Sequence, residues 1–309
     1  MTGDAASRIP SNSDEQPVPG RAALGDVEIA YAEWRPHLKG RGPTLLFVHG
    51  TSFHGRVWDE VAAALPRWHA IAVDQRGHGR STGEPVSHWR VFGEDLAGLV
   101  RALDLRDVVG VAHSMGGHSM IAGGAAVQDR FRQMILIDPM VAPPAEYAGG
   151  RSSFLKPSET HPAAKRKRRF ASPEEMIERF RDRVPYSLFT PDTLDAYCRH
   201  GLLPAADGDG WELACAPEME ASVYMASRTN GAIFDSIRAL QTPVLVVRAV
   251  HRPREGVTDF TGSPTWPALA GQFADGRDLY RPERTHFLPM EAPAEVAELV
   301  TRELEATGE

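Results

Sequence analysis

Apolar positions along the chain follow two alternating rhythms. Short, unbroken runs rich in Val, Leu and Ile read as strands buried on both faces, among them "PTLLFVHG" (43–50), "DVVGVAHS" (107–114), "RQMILIDP" (132–139) and "TPVLVVRA" (242–249). "HAIAVDQRGHG" (69–79) reads as a strand running into a glycine-rich turn, and "RDLYRP" (277–282) as the last strand. Between them lie stretches with apolar residues on one helical face. These are "RVWDEVAAALP" (56–66), the segment 86–105 with Val91, Leu96, Leu99, Val100 and Leu103, and "APAEVAELVTRELEA" (292–306). Strands that alternate with helices predict an α/β fold with a mostly parallel, twisted sheet.

The rhythm breaks between Pro139 and Pro243, where only helical patterns are legible. "SPEEMIERFRDR" (172–183) and "TPDTLDAYCRHG" (190–201) each offer a Ser or Thr N-cap, Pro at the first helical position and acids in the first turn. "PEMEASVYMAS" (217–227) and "GAIFDSIRAL" (231–240) add two more helices. A helical block between two strands of a parallel sheet predicts a cap over the sheet's carboxyl edge, where open α/β sheets bind ligands. The expected division is a disordered tail over 1–19, a core over 20–140 and 241–309, and a cap over 141–240.

Composition narrows the partners. The 309 residues are 42% hydrophobic and 24% charged, with a formal net charge of −7. That balance suits a soluble protein and argues against a nucleic-acid or membrane-surface binder. No run approaches the ~20 apolar residues of a membrane span, and the polar N-terminus lacks the apolar core of a secretory signal. Cys198 and Cys215 are too few for a disulfide framework and read as reduced packing residues of a cytoplasmic protein. The basic run "KRKRR" (165–169) reads as a solvated helix start or mobile loop, with an anion or partner patch as the sharper alternative.

The candidate chemistry centres on "GVAHSMGGHS" (110–119). Ser114 falls at a strand-to-helix junction, and Ala112, Gly116 and Gly117 keep its surroundings small enough for a tight turn. A serine nucleophile needs a base, an acid to orient that base, and donors for the oxyanion it creates. His286 follows the last strand and is the expected base. His49, His78 and His118 are not so placed. Main-chain N–H groups of Met115, just after the serine, and Thr51, just after His49-Gly50, are the expected oxyanion donors. The hydroxyl of Thr51 or Ser52 is a further candidate.

"HG" with Trp58 shortly after it, "DQRGHGRS" (74–81), "AHSMGG" (112–117) and "HFLPMEAP" (286–293) stand in order along the chain. Together they make it resemble the α/β-hydrolase superfamily over about 25–140 and 240–306. The resemblance implies that fold, a serine-nucleophile branch of it, and a structural role for Asp74, Arg76 and Ser81. It also exposes a departure. In much of that superfamily the acid follows the strand that resumes after the cap, near Arg252 here, and His251, Arg252 and Arg254 cannot serve. Asp138, one strand earlier, is the preferred acid, as in some branches of the superfamily. Glu255 and Asp259 remain the alternatives.

The expected activity is hydrolysis of a carboxylic ester or lactone through an acyl-enzyme on Ser114. A C–C bond hydrolase acting on vinylogous diketones, a cofactor-free dioxygenase and a non-catalytic ligand receptor stay open. No metal-binding or dinucleotide motif is present, so no cofactor is expected. The expected partner is a small apolar or cyclic ester, and a homodimer is left open. Cap aromatics such as Phe154, Phe180, Tyr186, Tyr197 and Tyr224 are expected mostly as cap core, with some lining the pocket. The loop 259–267 is expected near its mouth.

Overall fold

The computed structural model describes residues 16–150, 160–250 and 260–306. Strands β1 (Val18–Leu24) and β2 (Val27–Trp34) form a hairpin. They are followed by β3 (Thr44–Val48), α1 (Asp59–Ala63), β4 (His69–Val73), α2 (Arg90–Ala102), β5 (Val108–His113), α3 (Met115–Ala125) and β6 (Phe131–Ile137). Next come β7 (Arg169–Phe170), α4 (Pro173–Phe180), α5 (Pro191–His200), β8 (Leu202–Pro204), β9 (Trp211–Leu213), α6 (Pro217–Met225) and α7 (Ile233–Ala239). The chain then returns through β10 (Val244–Ala249), β11 (Gly276–Arg281), α8 (Leu288–Glu291) and α9 (Pro293–Ala306).

Eight strands form one sheet in the order β1-β2-β4-β3-β5-β6-β10-β11. β1, β2 and β4 pair antiparallel in turn, and every pairing from β4 to β11 is parallel. The path moves outward from β3 to β4, then crosses back to β5 on the other side of β3. The order therefore reverses between β3 and β5, and a crevice opens beyond their carboxyl ends. Thr51 follows β3 and Ser114 follows β5, so the topology alone brings these two residues to one place.

Strand residues alternate between two cores. Leu45, Phe47, Val109, Val111, Ile135 and Ile137 pack with Trp58, Val61, Val296 and Val300. Leu46, Val48, Val108, Ala112, Met134 and Leu136 pack with Leu96, Val100, Met120 and Ile237 on the opposite face. This is the period of two that a pleated strand imposes. Helix α7 buries Ile233 and Ile237 in the second core, so it belongs to the sheet's own layer rather than to the segment above it.

Two other differences from the sequence expectation have physical causes. The expected tail runs to residue 19, yet β1 already begins at Val18. Pro19 and Gly20 read as loop residues in isolation. On an edge strand, however, a proline's missing N–H can face outward at no cost to the ladder. The ring of Tyr31 lies across Gly20, where a Cβ would come within 2.3 Å of it. The inserted segment also holds a three-stranded antiparallel sheet in the order β7-β9-β8, beside its helices. Strands of two or three residues are too short to show a period.

The inserted segment is tied to the sheet by specific bonds. Trp89 Nε1 donates to the Val223 carbonyl at 2.7 Å, and the main-chain N–H of Val86 to Ser222 Oγ at 2.9 Å. Those contacts take up Val86 and Trp89, so α2 starts at Arg90 rather than at residue 86. The hydroxyls of Thr190 and Thr193 both reach Glu60. The basic run is largely solvent-exposed, as expected, with only Arg166 half-buried, but cations within it are paired. Arg166, Lys167, Arg168 and Arg169 pair with Glu220, Glu175, Glu218, and Asp207 with Glu212 respectively. Among the described residues no helix is long and apolar enough to cross a membrane.

Candidate active site

Ser114 joins β5 to α3 with φ 55° and ψ −119°, a backbone conformation that costs a non-glycine residue about 1–3 kcal/mol. Its surroundings hold it there. Ser114 N–H donates to the Ile137 carbonyl at 3.1 Å, and its own carbonyl accepts from Gly117 at 3.0 Å and Met140 at 2.9 Å. A Cβ on Gly116 would stand 2.3 Å from the Val48 carbonyl oxygen, so β3 and α3 can approach this closely only with glycine there. Ala112, where the familiar motif has glycine, simply packs its methyl into the core beside Val48 and Leu136.

His286 reaches Ser114 from the loop between β11 and α8. Its main-chain N–H donates to the Thr261 carbonyl at 2.8 Å, and its carbonyl accepts from His113 Nε2–H at 2.7 Å. The ring is thereby aimed. Ser114 Oγ lies 3.0 Å from Nε2, and Nδ1 lies 2.6 Å from Asp138 Oδ2. Nδ1–H donates to the carboxylate, which leaves the Nε2 lone pair facing the hydroxyl.

Asp138 follows β6 with φ 47° and is fully buried. Its Oδ1 accepts from Ser263 Oγ at 2.5 Å and from the Ala249 N–H at 3.1 Å. Burial alone would push this carboxyl up. The bonds from His286, Ser263 and Ala249 outweigh burial and hold it below the ordinary carboxylate value. Ser263 belongs to the loop expected at the pocket mouth, but with Thr265 it turns inward and braces the acid. Phe260 of the same loop does stand at the surface, near the ring of Tyr224. The alternative acids Glu255 and Asp259, and the pocket candidate Phe154, lie outside the described residues.

The expected oxyanion residues also meet. Thr51 Oγ1 contacts Met115 Sδ at 3.5 Å. Met115 is the first residue of α3, where an N–H has no partner within the helix. A polar relay fixes the two segments to each other. Ser119 Oγ donates to Gln75 Oε1 at 2.6 Å, and Gln75 Nε2 donates to the His49 carbonyl at 2.6 Å. Ser263 lies in no motif, and His113 and Gln75 lie within "AHSMGG" and "DQRGHGRS" without a role that the sequence marks; only their places beside Asp138, Ser114 and His49 in space reveal what they do. Asp74 accepts from the Gly55 and Arg80 N–H groups at 2.7 Å each, Ser81 Oγ donates to the Asp74 carbonyl at 2.5 Å, and Arg76 pairs with Asp26 and Asp95.

A family model described as the alpha/beta hydrolase family matches residues 45–299. The chain belongs to this family. The non-heme chloroperoxidase CPO-A1 of Kitasatospora aureofaciens is 36% identical over 145 residues, covering 45% of this chain and 50% of that protein. The 2-(acetamidomethylene)succinate hydrolase of Mesorhizobium japonicum is 36% identical over 121 residues, covering 38% and 41% respectively. The matches thus span half or less of these curated relatives. Among solved structures, an E-2-(acetamidomethylene)succinate hydrolase superposes with TM-score 0.70 at 22% identity, covering 92% of this chain and 98% of that one. The enol-lactonase from Burkholderia xenovorans gives 0.60 at 19% identity, covering 93% and 100%. Both likenesses concern the fold alone.

This alpha/beta hydrolase is also rich in buried imidazoles. Burial pushes His54, His113 and His118 down to about 3, and His49 well below its usual value. They are neutral when folded, whereas an unfolded chain protonates them near 6.5. Their stabilising contribution is therefore complete above pH 6.5 and is lost progressively as pH falls towards 3, at about 1.4 kcal/mol per group per pH unit. Unfolding at pH 5 is expected to take up about two to four protons, measured calorimetrically in buffers of different ionisation enthalpy. No uptake, or net release, contradicts it.

Proposed function

We propose that this chain hydrolyses carboxylic esters or lactones through an acyl-enzyme on Ser114. The observation that carries the reading is the continuous bond path from Ser114 Oγ to His286 Nε2 at 3.0 Å and from His286 Nδ1 to Asp138 Oδ2 at 2.6 Å. Such a path activates a hydroxyl that is otherwise a weak nucleophile.

Ser114 Oγ attacks the substrate carbonyl carbon while His286 Nε2 takes its proton. The carbonyl oxygen becomes an oxyanion, received by the N–H groups of Thr51 and Met115. Asp138 stabilises the imidazolium that forms. Collapse breaks the C–O bond, and His286 passes its proton to the departing alkoxide. In a lactone that alkoxide stays attached to the acyl group. Water then attacks the acyl-enzyme with His286 again as base, and the products are an acid and an alcohol, or a hydroxy acid. The names of two relatives, a lipase of Mycobacterium tuberculosis and a monoacylglycerol lipase of Mycolicibacterium smegmatis, support ester cleavage as the class.

Rapid mixing with a 4-nitrophenyl ester tests the reading. A burst approaching one nitrophenol per chain is expected, together with a mass increase of one acyl group on the peptide carrying Ser114. Steady turnover with no acylated chain, or acylation at another residue, overturns the proposal.

A further inference from the structure

The segment after β3 carries a strained residue next to an expected oxyanion donor. The Phe53 N–H donates to the Gly50 carbonyl at 3.3 Å, so residues 50–53 close a turn with Thr51 and Ser52 at its centre. Ser52 has φ 71°, and Thr51 does not share that left-handed conformation. This is a type II turn, whose third position ordinarily takes glycine or asparagine because a Cβ is crowded there. A serine persists in such a place only where its surroundings hold it. We infer that Tyr224, from the inserted segment, holds this turn through Ser52 and so positions the Thr51 N–H for the oxyanion. The inference rests on the ester or lactone reading and adds two positioning residues to it.

Ser52 Oγ is buried and faces the Tyr224 hydroxyl at the reach of a hydrogen bond; it has no closer partner among the described residues. Tyr224 stands in the last turn of α6, on a rigid support. Its ring stacks on that of His161 at 4.3 Å and 21°. His161 Nδ1 accepts from the Ala163 N–H at 3.2 Å, which sets that ring in turn. Just before Tyr224, Ser222 and Val223 bind α6 to the core through Val86 and Trp89.

The turn packs directly on the nucleophile elbow. A Cβ on Gly50 would stand 3.0 Å from both Ser114 Cβ and His113 Nδ1, and Thr51 Oγ1 contacts Met115 Sδ at 3.5 Å. Relief of the strain at Ser52 would turn the Thr51–Ser52 peptide and shift the Thr51 main chain beside Ser114. The oxyanion forms only once Ser114 Oγ has attacked, so a misplaced Thr51 N–H costs kcat rather than KM. Glycine adopts a positive φ without support. The Tyr224 hydroxyl should therefore matter only while position 52 carries a side chain.

Steady-state kinetics on a 4-nitrophenyl ester tests the link with Tyr224→Phe, Ser52→Ala, Ser52→Gly and Ser52→Gly/Tyr224→Phe. Tyr224→Phe and Ser52→Ala are each expected to lower kcat about tenfold, less than deleting an oxyanion donor outright, with KM changed by less than about threefold. A trifluoromethyl ketone mimics the oxyanion once Ser114 Oγ adds to it and the serine proton passes to His286. Its affinity should fall in both variants by about the factor lost in kcat/KM. In the Ser52→Gly background, Tyr224→Phe is expected to cost less than about threefold. A tyrosine hydroxyl that serves only packing would cost the same in both backgrounds, and that result overturns the inference. So does a kcat within about twofold of the parent for both Tyr224→Phe and Ser52→Ala, or a loss confined to KM. Failure of the parent chain to acylate Ser114 overturns the catalytic reading instead, so the two failures are distinguishable.

Discussion

Replacing Ser114 with alanine is expected to lower kcat on carboxylic esters by roughly 10⁴- to 10⁶-fold. The serine hydroxyl bonds to His286 Nε2, and its loss removes the only atom in the proposed path that can form the covalent intermediate. The elbow itself should persist. Its strained backbone is held by the main-chain bonds of Ser114, which alanine retains, and alanine at φ 55° is no more crowded than serine. Thermal stability should therefore change little, and KM by only a few-fold. In the proposed mechanism the residual rate would come from the Thr51 and Met115 N–H groups and from substrate positioning. Steady-state kinetics with paired melting curves measures this. Turnover within tenfold of the parent would place the nucleophile elsewhere.

Asp138→Asn is expected to cost about 10⁴-fold in kcat at neutral pH with little change in KM. The size of the effect follows from the fixed donors around the carboxylate. The Ala249 N–H can only donate, and it points at Oδ1. An asparagine must therefore turn its carbonyl oxygen towards Ala249 and its NH₂ towards His286. That NH₂ requires a lone pair on Nδ1, which moves the imidazole proton to Nε2. A protonated Nε2 cannot accept from Ser114. Asn is close in size to Asp, so the fold should survive, and circular dichroism can verify it. A kcat near that of the parent would reassign the acid, and Glu255→Gln and Asp259→Asn would then be the variants to compare.

Much of this site is legible in the sequence because its parts sit at the ends of strands. A buried strand announces itself by an unbroken apolar run, and the residue just past it is placed at the sheet's carboxyl edge. Ser114, Thr51 and Asp138 are all legible in that way. His286 follows a strand that is only half-buried, so its place rests on chain order. Choosing Asp138 over Glu255 is harder, because local pattern does not say which strand end faces the imidazole. That depends on β6 lying between β5 and β10, and on Asp138 N–H reaching the Val247 carbonyl at 2.7 Å. The bracing by Ser263 is less visible still, because its bond spans the whole inserted segment. The pairing of the basic run is hidden for the same reason. The run is largely solvated, as its sequence suggests, yet only folding brings Glu220, Glu175, Glu218, Asp207 and Glu212 beside Arg166, Lys167, Arg168 and Arg169.

The most direct test of Ser114 as an activated nucleophile is treatment of the full chain with a fluorophosphonate probe, followed by peptide mapping. One adduct per chain, confined to the peptide carrying Ser114 and abolished by Ser114→Ala, is expected. An unlabelled native protein, or a chain labelled at another residue, would contradict it.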